Sequence, residues 1–202
     1  MTFESKALFS LLGATAASAG GYGIYKALPS STEETVASQL KVSLLRFSGE
    51  EDKSIWEARA LSLGSETQDS VPSDLWGIKR SNVDWKEVRS WCISKLKSPW
   101  EGLDSKVEFG VKKYCTYQVK DKLQGAIEIS GDWTTISNSL KDKESDAGLS
   151  DEMKKIRLAL KGEQSSAADT NALKNWCSGV YSKMYQDDRD FKDASTYCVS
   201  TS

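Results

Sequence analysis

The sequence predicts an all-α fold: an N-terminal transmembrane helix, then a helical bundle or paired helical hairpins with an internal duplication and two disulfides. Three observations predict it. Apolar residues recur at steps of three and four, and no run alternates in steps of two. Only three of the 202 residues are proline, and the chain is rich in Ala, Leu, Lys, Glu and Ser, which favour helices. The four cysteines fall into a Trp-Cys and Tyr-Cys pattern that occurs twice, as "SWC" at 90–92 with "KYC" at 113–115, then "NWC" at 175–177 with "TYC" at 196–198.

The chain divides into residues 1–28 (a membrane anchor or signal segment), a first helical unit at 29–125 and a second at 126–202. Between Lys6 and Lys26, "ALFSLLGATAASAGGYGIY" carries no charge over 19 residues. A helix of that length rises by ~28 Å, close to the hydrocarbon thickness of a bilayer. Tyr22 and Tyr25 suit the interface. A permanent anchor is the first reading. The small-x-small triplets Ala14–Ala16 and Ala17–Ala19 leave a cleaved signal peptide as the second, and a buried soluble helix is the third.

In the body, Ser31 with Glu34 forms a capping box, and Val36, Leu40, Leu44 and Phe47 follow as one stripe. Trp56, Ala60 and Leu63 form the next, closed by Gly64. A polar linker and "DLWGIK", too short to assign, lead to a helix from Asp84 to Lys97. Trp85, Val88, Cys92 and Leu96 line that helix, and Pro99 ends it. A helix from Asp104, boxed by Ser105 and Glu108, carries Val107, Val111, Cys115 and Val119 and ends near Gly125.

The second half follows the same order. Trp133, Ile136 and Leu140 make one stripe, and Leu149, Met153, Ile156 and Leu160 a second that ends at Gly162. Asp169 or Thr170 caps Leu173, Trp176, Cys177 and Val180. Phe191, Ala194 and Cys198 share the last face. Trp56 and Trp133 lie 77 residues apart, Cys92 and Cys177 85, and Cys115 and Cys198 83. Such small drifts are what loop changes between two copies of one unit would produce.

Four cysteines admit three connectivities. The duplication favours Cys92–Cys115 and Cys177–Cys198, each tying neighbouring helices. Four reduced, buried thiols are the alternative, since cysteine is among the most buried residue types. No C-x-x-C spacing accompanies them and the chain has no histidine, so a zinc site is not expected.

The missing histidine also removes the commonest general base. No phosphate-binding glycine loop, calcium loop or face-to-face carboxylate pair is legible, so no catalytic residue, cofactor or metal is assigned. A formal net charge of -2, with no basic stripe, argues against nucleic acid. Tryptophans on stripes are assigned to the core. Trp76 and Trp100 lie beside turns and are the candidate partner contacts.

The short leader ending in "GGYGIYKAL", the "SWC", "NWC" and "KKYC" motifs and a body of this length make the chain resemble, over nearly its whole extent, the large paralogous family of uncharacterised proteins of haemotropic mycoplasmas. The resemblance implies membrane association. It also suggests a surface role in antigenic variation or contact with a host cell or host protein, and it implies no activity or cofactor. The expected protein is therefore single-pass and anchored in the cell membrane, with its partners the lipid bilayer and a host surface. The cysteines place the body outside the cell. A membrane-tethered intracellular scaffold with reduced cysteines, or an envelope enzyme, is the alternative.

Overall fold

The computed structural model describes residues 34–79, 82–163 and 168–200. The expected membrane helix over Ala7–Tyr25 and the Ser31 cap lie outside the described residues. Among the described residues no helix is long and apolar enough to cross a membrane.

The described chain is all-helical. Its elements are α1 (Val36–Gln39), α2 (Lys53–Gly64), α3 (Ser73–Trp76), α4 (Trp85–Lys95), α5 (Ser105–Tyr114), α6 (Val119–Lys122), α7 (Thr134–Lys141), α8 (Asp151–Lys161), α9 (Ala172–Tyr181) and α10 (Arg189–Tyr197). Four isolated β-bridges are the extended pairings among the described residues. The starts follow from caps. Asp84, Asp104, Ser150 and Asp188 each accept backbone N–H bonds from the first turn of α4, α5, α8 and α10, contributing about 1 kcal/mol apiece. At the end of α8, Gly162 takes the left-handed conformation, φ 78°, which a side chain would disfavour.

Two cores form. The first gathers Val36, Leu45, Trp56, Leu63, Leu75, Val88, Val111 and Tyr114, all nearly solvent-free. The second gathers Val119, Leu140, Met153, Leu173, Val180 and Ala194. In the first, α2 packs on α4 and α4 on α5. In the second, α8 sits between α7 and α9, and α10 packs on α9.

Two predicted helices are shorter than expected. The stripe from Val36 to Phe47 breaks after α1. There Thr35 and Ser38 form the capping box, and Leu44 pairs with Thr116 in extended backbone. The stripe from Val107 to Val119 breaks at Cys115, the C-cap of α5. Val119 starts α6 and belongs to the second core. In both places main-chain bonding to a distant segment replaces the helical ladder that the spacing alone would support.

The cores are held by matching contacts. Leu45 N donates to the Cys115 carbonyl at 3.0 Å, and Ile127 N to the Cys198 carbonyl at 2.9 Å. Val36 N donates to the Ser98 carbonyl at 3.0 Å, and Val119 N to the Lys183 carbonyl at 2.9 Å. Thr35 bridges Pro99 as Gln118 bridges Met184, and Leu44 bridges Thr116 as Ala126 bridges Val199. The Trp56 indole N–H donates to the Arg46 carbonyl, and that of Trp133 to the Glu128 carbonyl, at 3.1 and 3.2 Å.

Candidate functional site

All four cysteines are bonded, in the pairing that the repeated pattern favours. Cys92 joins Cys115 with Cα atoms 5.5 Å apart, and Cys177 joins Cys198 at 5.7 Å. Each bond ties the helix that carries a Trp-Cys motif to the end of the following helix. All four residues are fully buried. A loop of this length, closed in the unfolded chain, adds roughly 3 kcal/mol on the chain-entropy account.

The two candidate contact tryptophans are half-buried rather than projecting. Trp76 ends α3 and packs on the first core, with the Lys79 ammonium 4.5 Å from its ring centroid. Trp100 packs on the same core under the Lys112 ammonium at 5.4 Å. Its backbone N–H donates to the Glu34 carbonyl at 2.8 Å. Of the stripe tryptophans, Trp56 and Trp133 are buried, as core packing requires, whereas Trp85 and Trp176 are half-buried.

The densest polar cluster lies where the two cores meet, and the sequence reading did not identify it. Arg59 is on the buried side of α2 and pairs with Asp121 of α6, while donating to the Thr116 carbonyl at 3.2 Å. Asp121 also accepts the Gln118 N–H at 2.7 Å. Buried Asp52 accepts the Tyr117 hydroxyl at 2.6 Å and the Arg46 N–H at 2.8 Å. The Ser43 hydroxyl donates to the Tyr185 carbonyl at 2.6 Å, and Tyr185 N to the Tyr117 carbonyl at 2.7 Å. Burial, with the Asp52 carboxylate, pushes the Tyr117 phenol up. Burial also pulls the Lys122 ammonium down where it lies over the Tyr117 ring. One signal pointed to this cluster: Arg59 is three residues beyond Trp56, on the apolar face of a helix.

Residues 115–119 leave no linker between the cores. Cys115 is crosslinked, Thr116 pairs with Leu44, Tyr117 bonds to both units, Gln118 pairs with Met184, and Val119 enters the second core. The carboxylates of the cluster are held by partners within it, whereas the buried Arg59 Nε has no hydrogen-bond partner.

Two open grooves mark the first unit. One, of about 670 Å³, runs between Val71–Asp74 and the start of α5. Two of its carboxylates are engaged: Asp104 caps α5 and Asp74 pairs with Lys95 at 2.5 Å. The other, of about 510 Å³, lies between α2 and residues 82–85, lined by Glu57, Leu61, Asp84 and Trp85 among others. Among the described residues no group of three His, Cys, Asp or Glu is placed to hold a metal ion.

Comparison of the chain with protein-family models, with curated proteins and with solved structures finds no match to any of the three.

Proposed function

We propose that the chain is a membrane-anchored helical protein whose body is displayed outside the cell, with an antigenic or host-contacting role. One observation carries this reading: two solvent-excluded disulfides consume all four cysteines. Such bonds form and persist in oxidising surroundings and are rare in the cytosol. The uncharged stretch over Ala7–Tyr25 supplies the anchor in this reading, and its length suits a bilayer.

The matching bridges and main-chain bonds of the two cores support the further reading that the body is one module used twice. A doubled, disulfide-stapled scaffold tolerates change on its exposed faces because its stability rests on caps, crosslinks and buried stripes. That is the physical requirement of a surface protein that varies. The resemblance to the haemotropic mycoplasma paralogues points the same way.

Protease treatment of intact cells tests the reading. Loss of the body from intact cells, with a membrane-retained N-terminal fragment, is the expected result. Full resistance until lysis, together with four thiols reactive to an alkylating reagent, would place the body inside and overturn it.

A further inference from the structure

We propose that the Cys92–Cys115 bond is a redox-gated latch for the joint between the two units, and that its counterpart Cys177–Cys198 is not. With Cys92 and Cys115 oxidised the units form one body. With that pair reduced the joint opens and the units move independently. The inference needs only the crosslinks and the joint, so it stands apart from the display reading.

Chain position makes the two bonds unequal. Tyr185 N donates to the Tyr117 carbonyl at 2.7 Å, as Trp100 N donates to the Glu34 carbonyl at 2.8 Å. Tyr117 N donates to the Ser43 carbonyl at 2.7 Å, as Ser200 N donates to the Gly125 carbonyl at 2.9 Å. Tyr117 is therefore at once the last paired residue of the first unit and the first of the second. Glu34 and Ser200 lie 83 residues to either side of it. Each fills one of those places, in a bond that stays within one unit. Cys115 comes two residues before Tyr117, and Cys198 two before Ser200. The same crosslink thus steadies a joint in one copy and an outer face in the other.

The first bond completes a closed circuit. α2 packs on α4, α4 carries Cys92, and the disulfide leads to Cys115. The next carbonyl, that of Thr116, accepts from Arg59 on α2 at 3.2 Å. One residue further, the Tyr117 hydroxyl reaches Asp52, which precedes α2. Cys115 is the C-cap of α5, so its sulfur fixes the run where the helix ends. The circuit has no half-closed form. Arg59 and Asp52 are buried, and a shift of the run would strand both charges, which is strongly destabilising.

Cys177–Cys198 closes no such circuit. The Cys198 carbonyl accepts from Ile127 N and from the Tyr181 hydroxyl, both of the second unit. On the joint side Tyr185 is steadied by the Phe191 ring, edge-on at 4.8 Å.

Closing the latch joins the two Sγ atoms and releases two protons and two electrons, which a small disulfide accepts. One thiolate attacks that disulfide and expels its first thiol. The other thiolate then displaces the second thiol from the mixed disulfide. Opening is the reverse exchange with a dithiol. The sulfurs are solvent-excluded in the folded chain, so exchange occurs when the segment opens, and the state then set is retained.

The test is amide hydrogen exchange, followed by NMR, on the full oxidised chain in detergent micelles. Two variants are compared with it, Cys92→Ala/Cys115→Ala and Cys177→Ala/Cys198→Ala. The reporters are the Tyr117 and Tyr185 amides, whose bonds flank the joint. In the first variant both should exchange about 100-fold faster, with α8 and α9 still protected. In the second variant both should keep their protection, while the Ile127 and Ser200 amides exchange faster. Reducing the second variant with dithiothreitol and reoxidising it with glutathione disulfide should switch the two reporters reversibly. Unchanged reporters in the first variant, equal loss in both variants, loss of protection throughout the second core of the first variant, or a joint that does not re-form on reoxidation would each overturn the proposal.

Discussion

The Tyr117 hydroxyl donates to Asp52 Oδ2 at 2.6 Å, joining the extended segment that leaves the first unit to the start of α2. Beside it Arg59 and Asp121 close an ion pair between α2 and α6, with side chains 5% and 15% exposed. These are the bonds by which two cores become one body. Tyr117→Phe leaves a buried carboxylate short of a donor and should cost about 1–3 kcal/mol. Arg59→Met strands Asp121 and should cost about 3 kcal/mol. Urea unfolding followed by circular dichroism and by tryptophan fluorescence checks both. The two probes should trace a single coincident transition, and separate transitions would contradict a junction without a linker.

The crosslinks set a second expectation. Intact mass measured without reductant should show four hydrogens fewer than the reduced chain, because all four cysteines are paired. Replacing Cys92 and Cys115 together by alanine should lower stability by roughly 3 kcal/mol. Replacing Cys177 and Cys198 should do the same.

Two helical glycines predict opposite outcomes. A Cβ at Gly110 in α5 would lie 3.0 Å from Trp91 Cη2 and 3.1 Å from Pro72 Cγ. Both are atoms of rings held in the first core. Gly110→Ala should therefore destabilise, despite the better helix propensity of alanine. A Cβ at Gly179 in α9 meets nothing within 4 Å, so Gly179→Ala should stabilise by about 1 kcal/mol. Thermal midpoints of the two variants should move in opposite directions.

The tyrosines predict a pH response. Burial, aided by the Glu128 charge, pushes the Tyr181 phenol up from 10.0 to about 12, and burial pushes Tyr117 and Tyr114 up as well. An acid whose neutral form is favoured by folding contributes stability that is full below its unfolded pKa, here 10.0. That contribution is lost as pH rises toward about 12. Tyrosinate absorbance at pH 10.5 should therefore be lower in the native chain than in denaturant. Tyr181→Phe should shrink the difference.

Much of this architecture was legible in advance. The Trp56–Ala60–Leu63 and Met153–Ile156–Leu160 stripes are helices with those faces buried. The twice-used cysteine pattern selected the observed pairing. What the spacing concealed was where helices stop. Leu44 and Val119 fit their stripes, yet each is drawn out of register by a backbone pairing with residues far along the chain. Periodicity carries no record of such partners. The groove was illegible for a related reason. Leu61 and Trp85 sit in different elements, and only packing of α2 against α4 places them on facing walls.

The continuous run from Cys115 to Val119 has a mechanical consequence. A pull applied between residues 34 and 200 finds no slack at the middle of the body, so the load passes straight into the bridges flanking Thr116 and Gln118. Even after those yield, the segments inside Cys92–Cys115 and Cys177–Cys198 stay out of the extensible length. Such a chain would behave under shear as a short, stiff tether rather than an elastic one.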